Sequence, residues 1–302
     1  MFLTVCTPTY NRAYTLNRVY KSLVAQSLKN FEWIIIDDGS DDNTKQLVNE
    51  FIAKKKVNIR YFYQTNQGKH IALNKGMELA KGKLFTCLDS DDWLYSNAIE
   101  KINSTWQQVQ DNDGIVGIIS LDSFENGDII GTRFPEKLKQ ANWIDLNFKY
   151  GVTGDKDYYF RTNQLKKIKF PSYKNNKHMP PSYQYYLLSK KFDFSLLNTP
   201  TKYVEYLNDG ISKNKYNKYV VAPDNFAQYR FDIMDLIPSS KRKLMNTIHF
   251  NSSLCLGNIK LKPKKIRNKI LVYLTKPLGY LLSMYIKVRV NKSNNLAHRI
   301  EG

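Results

Sequence analysis

Three aspartates in the run DSDD (89–92) are the residues of this chain best suited to chemistry. They follow directly on the apolar segment 84–88, which has the composition of a buried strand. Carboxylates at such a place are costly to desolvate unless a cation neutralises them, and Mg²⁺ and Mn²⁺ suit hard oxygen ligands. Because a divalent cation at a strand end usually carries phosphate, the run predicts a metal-dependent phosphate site.

A second acidic turn, DDGSD (37–41), follows another apolar segment at 33–36. In open α/β sheets, ligands collect outside the carboxyl ends of the strands. Two acidic turns that both follow strands therefore predict one shared nucleotide site.

The elements that would position these turns alternate between strands and amphipathic helices. Strands are predicted at 2–6, 33–36, 59–63, 83–88 and 115–120, and helices at 14–26, 43–54 and 71–80. Repeated βα units imply a mostly parallel, right-handed sheet with flanking helices, which is an α/β fold.

Composition and cysteine usage bound the class of protein. The 302 residues contain 42% hydrophobic and 24% charged residues, as expected of one large globular domain, alone or with an appendage. Three cysteines without a Cys-x-x-Cys pair argue against a disulfide framework or a zinc site and fit a reducing cytosol. No secretory signal precedes the first predicted strand, so we expect a protein that stays inside the cell.

Several nucleotide-binding classes are excluded by their missing loops. No Gly-x-Gly-x-x-Gly follows the first strand, and no Gly-Lys-Ser/Thr phosphate loop occurs anywhere. Four other runs occur in order: PTYNR (8–12), DDGSDDNT (37–44), NQGKHIALNKG (66–76) and DSDDW (89–93). Together they resemble the family 2 glycosyltransferases of bacterial polysaccharide synthesis, and the resemblance covers about residues 1–125.

This resemblance implies a fold and a division of the chain. The expected fold is GT-A, a Rossmann-like α/β domain with a mostly parallel central sheet, followed by a basic amphipathic helical appendage. Residues 1–125 would form the nucleotide-sugar-binding half, 126–238 the acceptor-binding half, and 239–302 the helical tail.

The resemblance also assigns the nucleotide site. Pro8 and Tyr10 would lie beside the base and ribose, and Asp38 would accept the imide N–H of uracil. Lys69 would offset phosphate charge, with Asn74 as a further candidate on the same segment. Alternatives stay open for two of these residues, because Asp38 could belong to an ordinary turn that caps the next helix, and Lys69 could be a solvated lysine.

Metal and ribose contacts fall to the DSDD run under the same resemblance. Asp91 is the expected ligand of Mn²⁺ or Mg²⁺, and Asp89 would bind the ribose hydroxyls or the metal and its waters. The metal would stabilise charge on the departing diphosphate. The alternative is an acidic loop without a ligand.

The general base is not assigned by these motifs. Inverting relatives use a downstream Asp or Glu to deprotonate the acceptor hydroxyl. Where many relatives carry two acids, this chain has Asn176 and Pro181. Asp155 and His178 are the remaining candidates, although Asp155 could cap a turn and His178 could lie on the surface.

Most of the positive charge is concentrated in the tail. The formal net charge is +19, and residues 239–302 contain 14 lysines and arginines against the single acid Glu301. Between 262 and 289 the cations alternate with apolar residues at helical spacing, without the ~20-residue apolar run of a spanning helix. We expect this segment to lie on an anionic membrane surface. Packing of the apolar stripe on the catalytic domain is an open alternative.

The sequence as a whole therefore predicts an inverting, metal-dependent glycosyltransferase. It would move a hexosyl or N-acetylhexosaminyl group from a nucleotide-sugar donor, expected to be a UDP-sugar, to a lipid-linked or other glycan acceptor at the cytoplasmic face of the cell membrane. The alternatives are a non-catalytic nucleotide-sugar-binding or assembly subunit and, less favoured, a nucleic-acid-binding protein. No nucleic-acid partner is expected, because no known module accompanies the basic tail.

Overall fold

A computed structural model describes residues 1–206, 216–263 and 265–300, with side chains up to 291. The chain forms two compact units. The sheet unit contains Met1–Lys169 and Gln184–Leu207, and the helical unit contains Phe170–Tyr183 and Asn208–Gly302. The predicted boundaries at 125 and 238 stay a prediction.

Among the residues that the structure describes, nine strands form one sheet in the sheet unit. They are β1 Leu3–Thr9, β2 Phe31–Asp37, β3 Ile59–Tyr63, β4 Leu84–Cys87, β5 Trp93–Leu94, β6 Ile115–Ser123, β7 Gln140–Ala141, β8 Lys156–Arg161 and β9 Asp193–Tyr203.

Eleven helices accompany them in the described part of the chain. They are α1 Ala13–Val24, α2 Thr44–Ala53, α3 Lys69–Leu79, α4 Ala98–Gln107, α5 Trp143–Phe148, α6 Thr162–Leu165, α7 Ser182–Leu188, α8 Asn217–Val221, α9 Pro223–Ile233, α10 Ser240–Leu256 and α11 Ile266–Ile300.

The strand order is β3-β2-β1-β4-β8-β6-β9-β5, so β2, β1 and β4, whose carboxyl ends carry the predicted site, lie side by side. The first four strands are parallel, and Cys6 pairs with both Ile34 and Cys87 across its two neighbours. Parallel pairing brings the carboxyl ends of β1, β2 and β4 together. The predicted α/β architecture is therefore confirmed, whereas β7, β8 and β9, which add antiparallel pairs, had no sequence prediction.

Apolar residues of the early strands and helices form the largest core. Trp33 of β2 is fully buried, and the rings of Tyr20 and Phe51 stack at 4.1 Å beside it. These two residues come from α1 and α2, so burying their rings fixes both helices on the same face of the sheet.

The helical unit contains the C-terminal appendage. Helix α11 continues through Pro277. It packs closely against α10 at Gly279, where an added Cβ would lie 2.4 Å from the Cβ of Asn251. The Asn251 amide donates to the Val272 carbonyl at 2.8 Å and to the Thr275 hydroxyl at 2.9 Å. Among residues 1–206, 216–263 and 265–300, no helix is both long and apolar enough to cross a membrane.

Gly117 in β6 provides a test of the central strand pairing. A Cβ at this position would lie 2.0 Å from the carbonyl oxygen of Tyr159 in β8, and backbone cannot move aside cheaply. Gly117→Ala should lower the free energy of unfolding by about 3 kcal/mol or more, measured by urea denaturation. Gly114→Ala is the matched control, because its Cβ would meet only the flexible Asn112 side chain. Equal stability of the two variants would contradict this packing.

Candidate active site

The turns after β1 and β2 are joined by side chains of the first two motifs. The Asn11 backbone N–H donates to Ser40 Oγ at 2.9 Å. Asp42 accepts from the Ala13 N–H at 3.1 Å and the Thr44 N–H at 3.0 Å, so one carboxylate holds the starts of α1 and α2. Burial alone would raise the pKa of Asp42, but these hydrogen bonds outweigh it and lower the pKa. The two motifs therefore form one structural unit.

Asp38 joins the second motif to the third. Its carboxylate, only 4% exposed, accepts from the Gln64 amide at 2.7 Å and from the backbone N–H groups of Gln67 and Gly68 at 2.9 and 2.7 Å. At Gly39, where φ is +93°, an added Cβ would lie 2.8 Å from the Asn66 nitrogen. This close approach and the backbone angle both favour glycine. Asp42, and not Asp38, accepts the first N–H of α2.

The other residues predicted to bind the nucleotide also lie at or after the carboxyl ends of the parallel strands. Pro8 is buried near the end of β1, and Tyr10, which follows β1, is 48% exposed. Lys69 begins α3, with the half-buried Asn74 one and a half turns further along the helix. The structure thus collects these residues on the turns and the helix that leave the parallel strands.

Lys69 and Asp89 form an ion pair with Nζ and Oδ2 2.6 Å apart. Burial alone would lower the pKa of Lys69, but the charge of Asp89 outweighs it and raises the pKa. Burial likewise would raise the pKa of Asp89, and Lys69 lowers it instead. Both groups therefore stay charged at neutral pH. Lys69 is thus paired and not simply solvated.

Asp91 differs from its two acidic neighbours. Asp89 pairs with Lys69, and Asp92 lies 3.7 Å from Lys202, but no ion pair of the described residues includes the Asp91 carboxylate. Burial, followed by the charge of Asp89, raises the pKa of Asp91. A half-buried carboxylate whose charge is disfavoured in this way gains most from a bound cation.

The residues present fit a divalent cation that a ligand helps to bind. In the part of the chain that the structure describes, no three His, Cys, Asp or Glu side chains form a group that could hold a metal alone. Mg²⁺, however, is commonly held by one or two carboxylates together with substrate phosphates. Asp91 would be one such carboxylate, and Asp89 would be a second once its pairing with Lys69 is relaxed.

A buried charge cluster below the DSDD turn was missed by sequence reasoning. Lys202 of β9 lies 3.5–3.7 Å from carboxylate oxygens of Asp92, Asp122 and Asp157, and all four residues are less than 10% exposed. Asp157 also accepts hydrogen bonds from the Tyr159 and Thr201 hydroxyls. Asp92 belongs to the DSDDW motif, but the other three residues lie far from it in sequence and match no motif, so only the folded sheet brings the four together.

The burial of the Asp122 carboxylate is the unfavourable part of this cluster. Neither of its oxygens has a hydrogen-bond partner, and the residue is fully buried. Burial raises the pKa of Asp122 to about 7, because Lys202 opposes the shift only in part and Asp157 adds to it. One lysine therefore does not neutralise three buried carboxylates at neutral pH.

The region that carries these turns is also the region that matches a known protein family. The family model described as Glycosyl transferase family 2 matches residues 4–176, more than half of the chain. The chain belongs to glycosyl transferase family 2. The expectation drawn from the four motifs is confirmed.

Two of the similar curated proteins come from Haemophilus influenzae and Campylobacter jejuni. An uncharacterized glycosyltransferase of Haemophilus influenzae is 40% identical over 33% of this chain and 40% of its own length. A Campylobacter jejuni protein named GalNAc(5)-diNAcBac-PP-undecaprenol beta-1,3-glucosyltransferase is 38% identical over 33% of this chain and 33% of its own. The similarity thus spans well under half of these relatives.

Solved structures confirm the GT-A fold of the family. Staphylococcus aureus TarS 1–349 in complex with UDP-GlcNAc has a TM-score of 0.61 at 20% identity, covering 84% of this chain and 72% of TarS 1–349. The mannosyltransferase PcManGT of Pyrobaculum calidifontis, in complex with GDP-Man and Mn²⁺, has a TM-score of 0.52 at 12% identity, covering 94% and 87%.

The two base candidates of this family 2 chain belong to different units. Asp155 lies in the sheet unit, exposed, and accepts a hydrogen bond from the Tyr206 hydroxyl at 2.8 Å. His178 lies in the helical unit, half-buried, with its ring 5.6 Å from that of Phe226. The base therefore stays a prediction.

Asp122→Asn should reveal the buried charge cluster. The pKa of Asp122 rises from about 3.9 when unfolded to about 7 when folded, so the folded state binds the proton more tightly. The free energy of unfolding that protonated Asp122 contributes is therefore lost as pH rises from about 3.9 to about 7. Relative to the wild type, Asp122→Asn should gain about 1–2 kcal/mol of unfolding free energy between pH 5 and pH 8, measured by urea denaturation. The exposed Asp128→Asn is the control; a gain independent of pH would contradict the assignment.

Proposed function

We propose that this chain is an inverting, metal-dependent glycosyltransferase that takes its sugar from a UDP-sugar. The observation that carries the proposal is the Asp91 carboxylate, which forms no ion pair among the described residues and follows strand β4 at the end of the sheet where the four motif turns meet. Family membership and the fold support the reaction class.

The proposed donor site assigns one task to each group. Pro8 and Tyr10 border the base and ribose, and Asp38, already bound to the third motif, offers its remaining lone pair to the uracil imide. Asp91, with Asp89, would hold Mn²⁺ or Mg²⁺. When bound, the metal would act as a Lewis acid on the departing diphosphate.

Lys69 and the base candidates complete this proposal. Lys69 starts α3, where the helix dipole also favours an anion, so its ammonium and the helix terminus would act on the same phosphate. Asp155 or His178 would accept the proton of the acceptor hydroxyl.

A second candidate function is a non-catalytic nucleotide-sugar-binding subunit. It is favoured by Asn176, which stands where many relatives carry an acid. The Asn176 side chain is buried, and its Oδ1 accepts the Asp224 backbone N–H at 2.9 Å, so it acts as a structural link within the helical unit. Release of nucleotide diphosphate only when an acceptor is present would distinguish the enzyme from such a subunit.

The proposed acceptor is a lipid-linked glycan at the cytoplasmic face of the membrane, approached through residues 262–289. One face of α11, with Val272, Thr275 and Ile286, is buried. Large apolar residues on the rest of the helix are 44–71% exposed: Ile266, Ile270, Tyr273, Leu274, Leu278, Tyr280, Leu281, Met284, Tyr285 and Val288. An apolar stripe among many cations suits an anionic membrane, and the same charge disfavours self-association.

UDP binding tests the donor site directly. In calorimetry, UDP should bind more tightly with Mn²⁺ than without it and more tightly than GDP. Asp91→Ala should weaken the metal-dependent binding by about tenfold or more, because it removes a charged ligand. The exposed Asp113→Asn should bind like the wild type. If neither nucleotide binds, the donor-site proposal is wrong.

Vesicle flotation tests the membrane proposal. Replacing Ile270, Leu274 and Leu281 by serine should abolish flotation with phosphatidylglycerol vesicles, because it removes exposed apolar side chains and leaves the charge unchanged. The wild type should float with these vesicles and not with phosphatidylcholine. Ile52→Ser, at an exposed apolar residue of α2, is the matched control. Unchanged flotation of the triple variant would contradict a membrane role for this stripe.

A further inference from the structure

The guanidinium of Arg18, on α1, makes three contacts around the DSDD turn. Its Nη2 donates to the Asp91 carbonyl at 2.8 Å. The guanidinium carbon, Cζ, lies 4.2 Å from the ring centre of Trp93, and Nη1 lies 2.6 Å from Oε2 of Glu205, with which it forms an ion pair. The backbone of the proposed metal ligand is therefore bonded to a side chain from another element.

This contact acts on the backbone of Asp91, between two residues whose side chains are held by other cations. The side chains of Asp89 and Asp92 are held by Lys69 and Lys202. The Asp91 side chain must stay available for a cation, so only its backbone can be fixed. Since metal ligands must be held within about 0.5 Å of the productive geometry, an anchor on the Asp91 carbonyl bears directly on metal affinity.

The three contacts need the shape of arginine. A planar guanidinium can stack on an indole while separate nitrogens bond a carbonyl and a carboxylate. A lysine ammonium is a point charge at the end of a flexible chain and cannot hold this arrangement. The site therefore depends on the side-chain type as well as on its charge.

Glu205 completes the arrangement by its charge. An uncompensated guanidinium next to Asp91 would repel a divalent cation. Glu205, two residues after the end of β9, neutralises it. Because Arg18 and Glu205 are 34% and 47% exposed, the pair contributes little to folding, so an effect on metal binding can be separated from one on stability.

We propose that Arg18, neutralised by Glu205, is a positioning residue that sets the metal affinity of the donor site through the Asp91 backbone. The inference rests on the proposed function, because it assumes that Asp91 holds the metal.

Metal titration of the full chain tests it. The concentration of Mn²⁺ that gives half-maximal UDP binding is measured by calorimetry, alongside metal-free UDP affinity and the thermal midpoint. Arg18→Met keeps the apolar stem on Trp93 and should raise this Mn²⁺ concentration about tenfold. Metal-free UDP affinity and the thermal midpoint should stay close to those of Lys21→Met, an exposed control on the same helix.

Two further variants separate shape from charge. Arg18→Lys keeps the charge and should recover only part of the loss. Glu205→Gln leaves the guanidinium uncompensated and should also raise the Mn²⁺ requirement, with little further change when combined with Arg18→Met.

Each remaining outcome overturns the inference. If Arg18→Met titrates like the wild type, or if only its thermal midpoint falls, Arg18 does not position the ligand, and the proposed function is untouched. If the wild type itself shows no metal-dependent UDP binding, the proposed function fails and the inference fails with it.

Discussion

Charge compensation at the DSDD turn is the constraint on which the rest of this site depends. Three cations from three different elements act on three residues of the turn: Lys69 on the Asp89 carboxylate, Arg18 on the Asp91 carbonyl and Lys202 on the Asp92 carboxylate. Each lies on an element whose position the sheet fixes. The Asp91 carboxylate forms no ion pair among the described residues, which is why the proposed function assigns the cation to it.

Charge compensation is incomplete in the buried cluster around Lys202. Lys202 alone faces Asp92, Asp122 and Asp157, and burial with mutual repulsion raises the pKa of Asp122 to about 7. Such a cluster is weak evidence for stability, since desolvation offsets the attraction. What it does provide is a link from the DSDD turn, through Asp92, to β6, β8 and β9. We interpret it as structural support for the turn.

The two units carry different parts of the proposed function. Every residue of the proposed donor site belongs to the sheet unit, whereas His178, Asn176 and the exposed apolar stripe of α11 belong to the helical unit. Family similarity is likewise uneven, because the family model ends at residue 176 and the curated relatives match a third of the chain. The donor-site proposal thus rests on residues inside the family match, whereas His178 and the apolar stripe of α11 lie beyond it.

The sequence by itself determined the α/β class, the four motif turns and the acidic run, because strand periodicity and the residues of a turn are local properties. Tertiary structure alone decided which charges meet. Arg18, Glu205, Lys202 and Asp122 carry no local signal, and their pairing depends on β9 lying between β5 and β6. It also decided that the apolar residues of α11 divide between a buried and an exposed face, since helical spacing gives the faces but not what covers them.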